Sequence, residues 1–465
     1  MVSRLGLKLL ALFCLIALAS PGLRAEEVPL STLDLLKKLI SIDTTNPPGN
    51  EIAAAEFVKN YLAGFGIAAE IFESAPGRAN LVARISGSGK REPLLLLGHL
   101  DVVPADPKEW KYPPFEATVE GDYLYGRGAI DMKSLVALEI QTFIRLKREA
   151  AKLEGDVILA LVADEEAGGK MGAGFLVDQH WDQVKAKYVF NEGSIGFNRK
   201  GMHLYPIQVA EKGVAWMRLT AHGTSGHGSM PSRDNATVKL IRALNRLAKQ
   251  RQPLEKTAIA QEFLTRLSEQ FSFPRSFFMR HLFDWPISPI AVRFFGGTLE
   301  KEKILNAMLR NTVVPTVLKA GNKTNVIPAE AVAEIDCRLL PGETPEAFRE
   351  KIRDRLDDPD ISIDWIQENP ASESDFHTPF FDAIEGALRK NDPQAVVVPL
   401  LSPGATDNRF FRAKGAIAYG IIPVMIQPED LEGLHGKNER VPIPELQRGE
   451  KILWDIVLSL QTESK

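Results

Sequence analysis

The sequence predicts an α/β protein with a mostly parallel central sheet flanked by helices, interrupted by an inserted α+β domain with one open sheet face. Three observations carry that prediction. Short unbroken apolar runs, of which Leu94–Leu97 is the purest, suit strands buried on both faces. These runs alternate with stretches of helical apolar spacing, as strand–helix–strand units do. From near Ala210 the pattern changes to apolar–polar alternation, which suits strands with one wet face.

Ser31 to Ile40 has Leu and Lys at helical spacing, and Thr44–Pro48 breaks it. A second amphipathic helix, Ile52–Leu62, closes at Gly64 and Gly66. Ile67–Phe72 and Leu81–Ile85 read as strands. Leu94–Leu97 starts after Pro93 and stops at Gly98, just ahead of His99 and Asp101. A short strand, Asp122–Tyr125, precedes the turn Gly126-Arg127-Gly128 and then Asp131. Met132, Leu135, Val136, Ile140, Phe143 and Ile144 recur with helical spacing, so Asp131 stands at a helix N-terminus. Val157–Ala163 is a buried strand ending at Asp164-Glu165-Glu166, and Tyr188–Phe190 one ending at Asn191-Glu192-Gly193.

Gly213–Ala221 alternates (Val214, Trp216, Arg218, Leu219) and opens the inserted unit. Helix Ala236–Ala248, strand Val332–Arg338, helix Pro345–Leu356 and strand Ile361–Ile366 complete it. The Phe-, Pro- and Arg-rich stretch Gln252–Val317 contains helical pieces and is longer than a simple loop, so it reads as an elaboration of that insertion. Helix Phe380–Arg389 and strand Ala395–Leu400 resume the first pattern. The expected division is residues 26–209 and 368–465 for the main domain and 210–367 for the insertion. A chain of 465 residues suits roughly two to three domains.

Residues 1–25 read as a secretory signal. Arg4 and Lys8 precede the apolar run Leu9–Ala19, and small residues lead to Ala25. An uncleaved anchor is the rival reading, but the run is shorter than the roughly 20 residues a membrane span needs. Cleavage implies a secreted or periplasmic protein with no stable membrane insertion. It also leaves Cys337 as the one cysteine, which excludes an internal disulfide and a thiolate metal cluster. A net charge of -4 gives no footprint for nucleic acid.

Chemistry in open α/β sheets collects beyond the carboxyl ends of the strands. Here those ends carry His99, Asp131 one turn later, Glu165-Glu166 and Glu192, and His435 stands in a Gly-flanked loop near the end. Each alone reads blandly. A strand-end His is often satisfied by solvent, and a Glu-Glu pair is usually a solvated acidic turn. Together they suit a pair of zinc ions held by imidazole and carboxylate, a donor set that Co2+ or Mn2+ also accepts. Asp101, two residues after His99, fits the carboxylate that orients a ligating imidazole. Adjacent side chains in a turn point apart, so one glutamate of the pair can bind metal while the other stays free as a base.

The runs GHLDVVP (from Gly98), GRGAIDMK (from Gly126), DEEAGG (from Asp164), NEG (from Asn191), GTSGHGSMP (from Gly223), NKTNVIP (from Asn322), DCRLLPG (from Asp336), PGATDNRF (from Pro403) and GLHGKNERV (from Gly433) resemble the di-zinc metallopeptidase family. That family includes glutamate carboxypeptidase, aminoacylase, succinyl-diaminopimelate desuccinylase, carnosinase-type dipeptidases and the mammalian secreted N-acyl amino acid hydrolase. The resemblance covers nearly the whole chain after the signal, in order. It implies that Asp131 bridges two zinc ions, with His99 and Glu192 completing one site and Glu166 and His435 the other. Glu165 is then the general base and the acid to the leaving amine, and Asp101 the partner of His99. The family's bridging Asp precedes a cis peptide, which would be Asp131-Met132. A hydroxide shared by the zinc ions would attack the amide carbonyl.

The same resemblance makes the insertion a lid and dimerisation domain. His227 would donate to the oxyanion, in several relatives from the partner subunit of a homodimer. Asn325 and Arg338 would hold substrate, and Gly404 would offer it a backbone contact. Asp407 and Arg409 read as structural, and His180, His203, His222, His281 and His377 as surface or loop residues. The implied activity is that of a zinc-dependent carboxypeptidase or dipeptidase acting on small peptides with a free carboxylate. Deacylation of N-acyl amino acids is the alternative, and an inactive binding relative a remoter one.

Overall fold

A computed structural model describes residues 28–463. The expected signal segment lies outside the described residues. At the centre is a nine-stranded mixed sheet. Its middle is parallel: Val157–Val162, Leu94–His99, Tyr188–Arg199 and Ile417–Ile426 run side by side in that order. Antiparallel strands Ala69–Ala75 and Arg78–Ile85 extend one edge. Met202–Glu211, with Ala395–Ser402 parallel to it, extends the other. Every residue of Leu94–His99 and Val157–Val162 is buried. That is why these segments read as unbroken apolar runs: helices cover both faces, and each buried leucine contributes about 1.5–3 kcal/mol.

Helix Lys133–Arg148 packs beneath this parallel centre, with Leu135, Val136, Ile140, Phe143 and Ile144 in the main core. Gly98 is what lets it lie so close. A Cβ there would sit 2.8 Å from Val136 Cγ2 and 3.0 Å from Glu139 Oε2. The C-terminal helix Ile443–Gln461 packs on Lys133–Arg148 and on Ile417–Ile426.

The insertion has the expected open sheet. Four antiparallel strands lie in the order Thr312–Ala320, Glu330–Leu339, Gly213–His222, Ile361–Asn369. Helices Ala236–Lys249 and Pro345–Leu356 cover one face and share a separate apolar core with it. Cys337 is buried in that core, and burial pushes its thiol up.

One expectation is corrected. Residues 252–311 do not elaborate the inserted unit. Helices Ala258–Ser268, Arg275–Arg280, Ser288–Lys301 and Lys303–Met308, with the turn at Leu282, contribute Phe263, Leu264, Leu282, Phe295 and Met308 to the main core, and Ala258–Ser268 and Lys303–Met308 lie against strand Ala395–Ser402. Only the residues from Thr312 onward join the inserted sheet. Lys212, at the hinge into that sheet, fastens the two parts. Its Nζ donates to the carbonyls of Ala307 and Arg310 at 3.1 and 2.8 Å. Among the described residues no helix is long and apolar enough to cross a membrane.

Candidate metal centre

His99 ends its strand, and its buried ring is aimed by two contacts. Nδ1 lies 3.0 Å from the Asp101 carbonyl and 3.4 Å from Asp101 Oδ1. Nε2 lies 3.0 Å from Asp131 Oδ1. Asp101 is fully buried and serves four neighbours. Besides His99, it accepts Asn46 Nδ2 at 2.8 Å and the backbone N–H groups of Glu165 and Glu166 at 3.2 Å each. One carboxylate thus fixes both the imidazole and the Glu165-Glu166 turn.

That turn is a single 3-10 turn, Glu165–Ala167, entered through Asp164 in the left-handed region (φ 72°). Asp164 is held there by Arg78 Nη2 at 3.0 Å and by the Met171 N–H at 3.0 Å. Arg78 in turn grips buried Glu51 with Nε and Nη2 at 2.9 and 2.8 Å. Glu192 comes from the long strand Tyr188–Arg199, which does not stop at Asn191 as the sequence suggests but continues past the site. A Cβ on Gly420 of the neighbouring strand would lie 2.0 Å from the Glu192 carbonyl oxygen, so only glycine allows the strands to meet there.

Asp131 follows the Gly126–Gly128 turn, and its peptide bond to Met132 is cis, as the resemblance implies. Its two oxygens face opposite partners. Oδ1 meets His99, and Oδ2 meets His435 Nε2 at 3.0 Å. His435 Nε2 also lies 3.2 Å from Glu166 Oε2. His99, Asp131 and Glu166 each place a ligand atom within 4.8 Å of the others, and so do His99, Glu165 and Glu192. The six residues named from the sequence as ligands or base therefore converge on one place.

The charge of this place calls for cations. Asp131, Glu165, Glu166, Glu192 and Asp101 face two imidazoles. Burial and the Asp131 carboxylate push Glu192 up to about 8, and burial with Glu192 pushes Glu165 up as well. Asp131 and Glu166 hold His435 up at about 10. Burial pulls His99 down, but Asp101 and Asp131 outweigh it and hold the ring well above its ordinary value. Burial would raise Asp131, yet His435 and His99 hold it far below. Glu166 Oε1 is buried with no hydrogen-bond partner. An imidazole-and-carboxylate set with an orphaned buried oxygen fits divalent ions.

The remaining sequence candidates make their hydrogen bonds to other groups. His227 is exposed on the two-residue strand Gly226–His227, which pairs with Val326–Ile327, and its Nδ1 is 2.7 Å from Ser229 Oγ. Asn325 flanks the same ribbon, and its carbonyl accepts the Gly228 N–H at 2.8 Å. Arg338 has its fork on Asp336 of its own strand, with Nε at 2.8 Å and Nη2 at 3.3 Å, and its guanidinium lies over Trp216. Gly404 is exposed, and its N–H donates to Ser402 Oγ at 3.1 Å. Sequence reasoning passed over two residues that build the centre, Asn46 and Glu439, and ranked a third, Asp407, as a weaker candidate read as structural. Asp407 is buried with both oxygens unpartnered, against Gly169 of the loop after Glu165-Glu166, and burial pushes it up to about 7. Glu439 and Asp407 stand inside runs that carry the family resemblance, and that position was the available signal.

A profile of the peptidase family M20/M25/M40 matches residues 95–459. The mouse N-fatty-acyl-amino acid synthase/hydrolase PM20D1 is 28% identical over 95% of this chain and 90% of its own. A probable carboxypeptidase S-like 2 from Dictyostelium discoideum is 29% identical over 76% of this chain and 68% of its own. Among solved structures, the metallo-carboxypeptidase Sso-CP2 of Sulfolobus solfataricus has the same fold, with a TM-score of 0.68 at 21% identity over 93% of this chain and 99% of that one.

Proposed function

The chain belongs to peptidase family M20/M25/M40, and from that premise we propose that it is a metal-dependent hydrolase of amide bonds beside a free amino-acid carboxylate. The observation that carries this reading is Asp131 placed between His99 and His435 at 3.0 Å each, with the Glu165-Glu166 turn beside it. Two Zn2+ ions are assigned, with Co2+ or Mn2+ as substitutes. Asp131 would lie between them, His99 and Glu192 on one, Glu166 and His435 on the other. When bound, such a pair supplies Lewis acidity for the carbonyl and an acidified water.

The protein does the rest. Asp101 keeps His99 in register and fixes the backbone of Glu165 and Glu166. Glu165 takes the proton of the attacking water and returns it to the leaving nitrogen. His227 donates to the oxygen of the carbonyl as it gains charge. Its exposed place on the inserted ribbon suits delivery by lid closure or by the second subunit of a homodimer. Asn325, Arg338 and Gly404 are assigned to the substrate, Arg338 after exchanging Asp336 for the substrate carboxylate. The layout of residues 1–25 supports secretion or export to a periplasm.

Two substrate classes fit. The mouse relative spans nearly the whole chain and bears the name of an N-fatty-acyl-amino acid hydrolase, which favours N-acyl amino acids. The Dictyostelium relative favours peptides cut as by a carboxypeptidase or dipeptidase. A panel of both, assayed with the metal-loaded protein and Glu165→Gln, tests the reading. The variant is expected to keep its metal and lose about 10²–10⁴-fold in kcat. Equal activity of the variant would remove Glu165 as the base, and the better-cut class decides the substrate.

A further inference from the structure

We propose that the helical segment 252–311 presents a face that docks onto the surface of an anionic phospholipid bilayer. The inference does not depend on the reaction assigned above. Phe273, Phe277, His281 and Trp285 follow one another at four-residue intervals through helix Arg275–Arg280 and the turns beside it. Ring contacts join the first three, and Trp285 projects from the turn that follows. The ring centroids of Phe273 and Phe277 are 6.2 Å apart, and those of Phe277 and His281 4.6 Å. The stripe broadens through Phe278, 5.6 Å from Phe277 and 5.0 Å from Phe294 on helix Ser288–Lys301. Ile290 stands one turn before Phe294.

Of these side chains only Phe278 also packs against the main core. Met279, Leu282, Ala291, Phe295 and Leu299, inside that core, hold the segment down. The outward set stays wet: Phe273 is 78% exposed, Trp285 83% and Ile290 59%. A lone exposed apolar residue is ordinary, but a connected aromatic group marks a contact.

Charge and shape select the occupant. Phe271 to Phe294 carries Arg275, Arg280 and Arg293 against one acid, Asp284. Asp284 is already engaged by Lys256 Nζ at 3.1 Å and His281 Nδ1 at 2.9 Å. Arg275 lies over the Phe271 ring at 3.8 Å, and Arg280 donates to Ser268 Oγ. All three arginines are exposed, and among the described residues none is ion-paired. Trp and Phe that project from turns need no matching socket in a bilayer. The rings settle at headgroup depth while neighbouring guanidinium groups meet phosphate. A second copy would bring the same arginines to a symmetric contact, which like charge opposes.

The test is co-sedimentation of the purified protein with phosphatidylcholine vesicles, with and without phosphatidylserine. Binding is expected on the phosphatidylserine vesicles and is expected to weaken with salt. The pairs F273S/W285S and R275Q/R293Q should each weaken it on the order of tenfold, with hydrolysis of a soluble substrate unchanged. Absence of binding to phosphatidylserine vesicles, or equal binding by wild type and both pairs, overturns the proposal. So does a wild-type dimer that F273S/W285S converts to monomer in sedimentation velocity without any vesicle binding, because the face would then belong to a second copy.

Discussion

Glu439 accepts the backbone N–H of Asp131 at 2.9 Å. The same oxygen accepts the Ile130 N–H at 2.6 Å, and the other accepts the Gly128 N–H and Arg127 Nη1, each at 2.8 Å. A fully buried carboxylate four residues after His435 thus grips the loop that presents Asp131. Arg127 Nη2 returns the link by donating to the Gly436 carbonyl at 2.6 Å. Glu439→Gln puts an amide donor against donors. It is expected to cost about 1–3 kcal/mol of stability and to weaken metal binding about 10–100-fold. Denaturant melts and a metal titration read the two effects separately.

Asp101→Asn should separate orientation from ligation. The variant keeps its volume but loses the negative charge shared by His99, Asn46 and the Glu165-Glu166 backbone. A fall of about 10–100-fold in metal affinity is expected, read by Co2+ titration followed by visible absorption. An unchanged Co2+ spectrum and affinity would mean that the Asp101 carbonyl alone orients His99.

His227→Ala is expected to lower kcat by about 10²–10³-fold and leave metal affinity unchanged. Mixing it with Glu165→Gln adds a second readout. Partial recovery of activity by the mixture is expected, since His227 stands exposed on the inserted ribbon with only Ser229, among the described residues, as its ring's hydrogen-bond partner. No recovery at any ratio would assign His227 to the chain that carries it.

Glu139 gives a pH prediction away from the centre. Its carboxyl is buried beneath Gly98 with neither oxygen partnered, and burial alone pushes it well above 4.5. The folded state therefore holds its proton after the unfolded state has released it. The contribution is complete below the unfolded value of 4.5 and is lost as pH rises toward the folded value. Glu139→Leu should stabilise the protein by about 1–3 kcal/mol at neutral pH, with a smaller gain in acid. Urea melts of both proteins across the acid-to-neutral range decide it.

The fold was legible wherever burial leaves a periodic trace. Leu94–Leu97 and Val157–Ala163 are apolar because both sheet faces are covered, and the candidate ligands follow because chemistry gathers at those strand ends. Ile417–Ile426 went unmarked although it lies at the centre of the sheet. Gly420 and Pro423 interrupt its run, and Gly420 is there for the Glu192 carbonyl. Helices between Gln252 and Asn311 show an apolar side in sequence, but periodicity says that a face is buried and not which core receives it. Asn46 and Glu439 act through hydrogen bonds to backbone and to other polar groups, which follow no period.

Asp131 and His435, the two residues that close the centre, are 304 positions apart in the chain. The strands and loops between them must all be in place before the full set of candidate ligands is assembled. A nascent chain, or one clipped ahead of residue 435, holds an incomplete set. Bound metal adds stability only to the completed form. Hydrolytic competence therefore acts as a checksum on folding, and a cell making this chain carries no working hydrolase until the last loop has been threaded home.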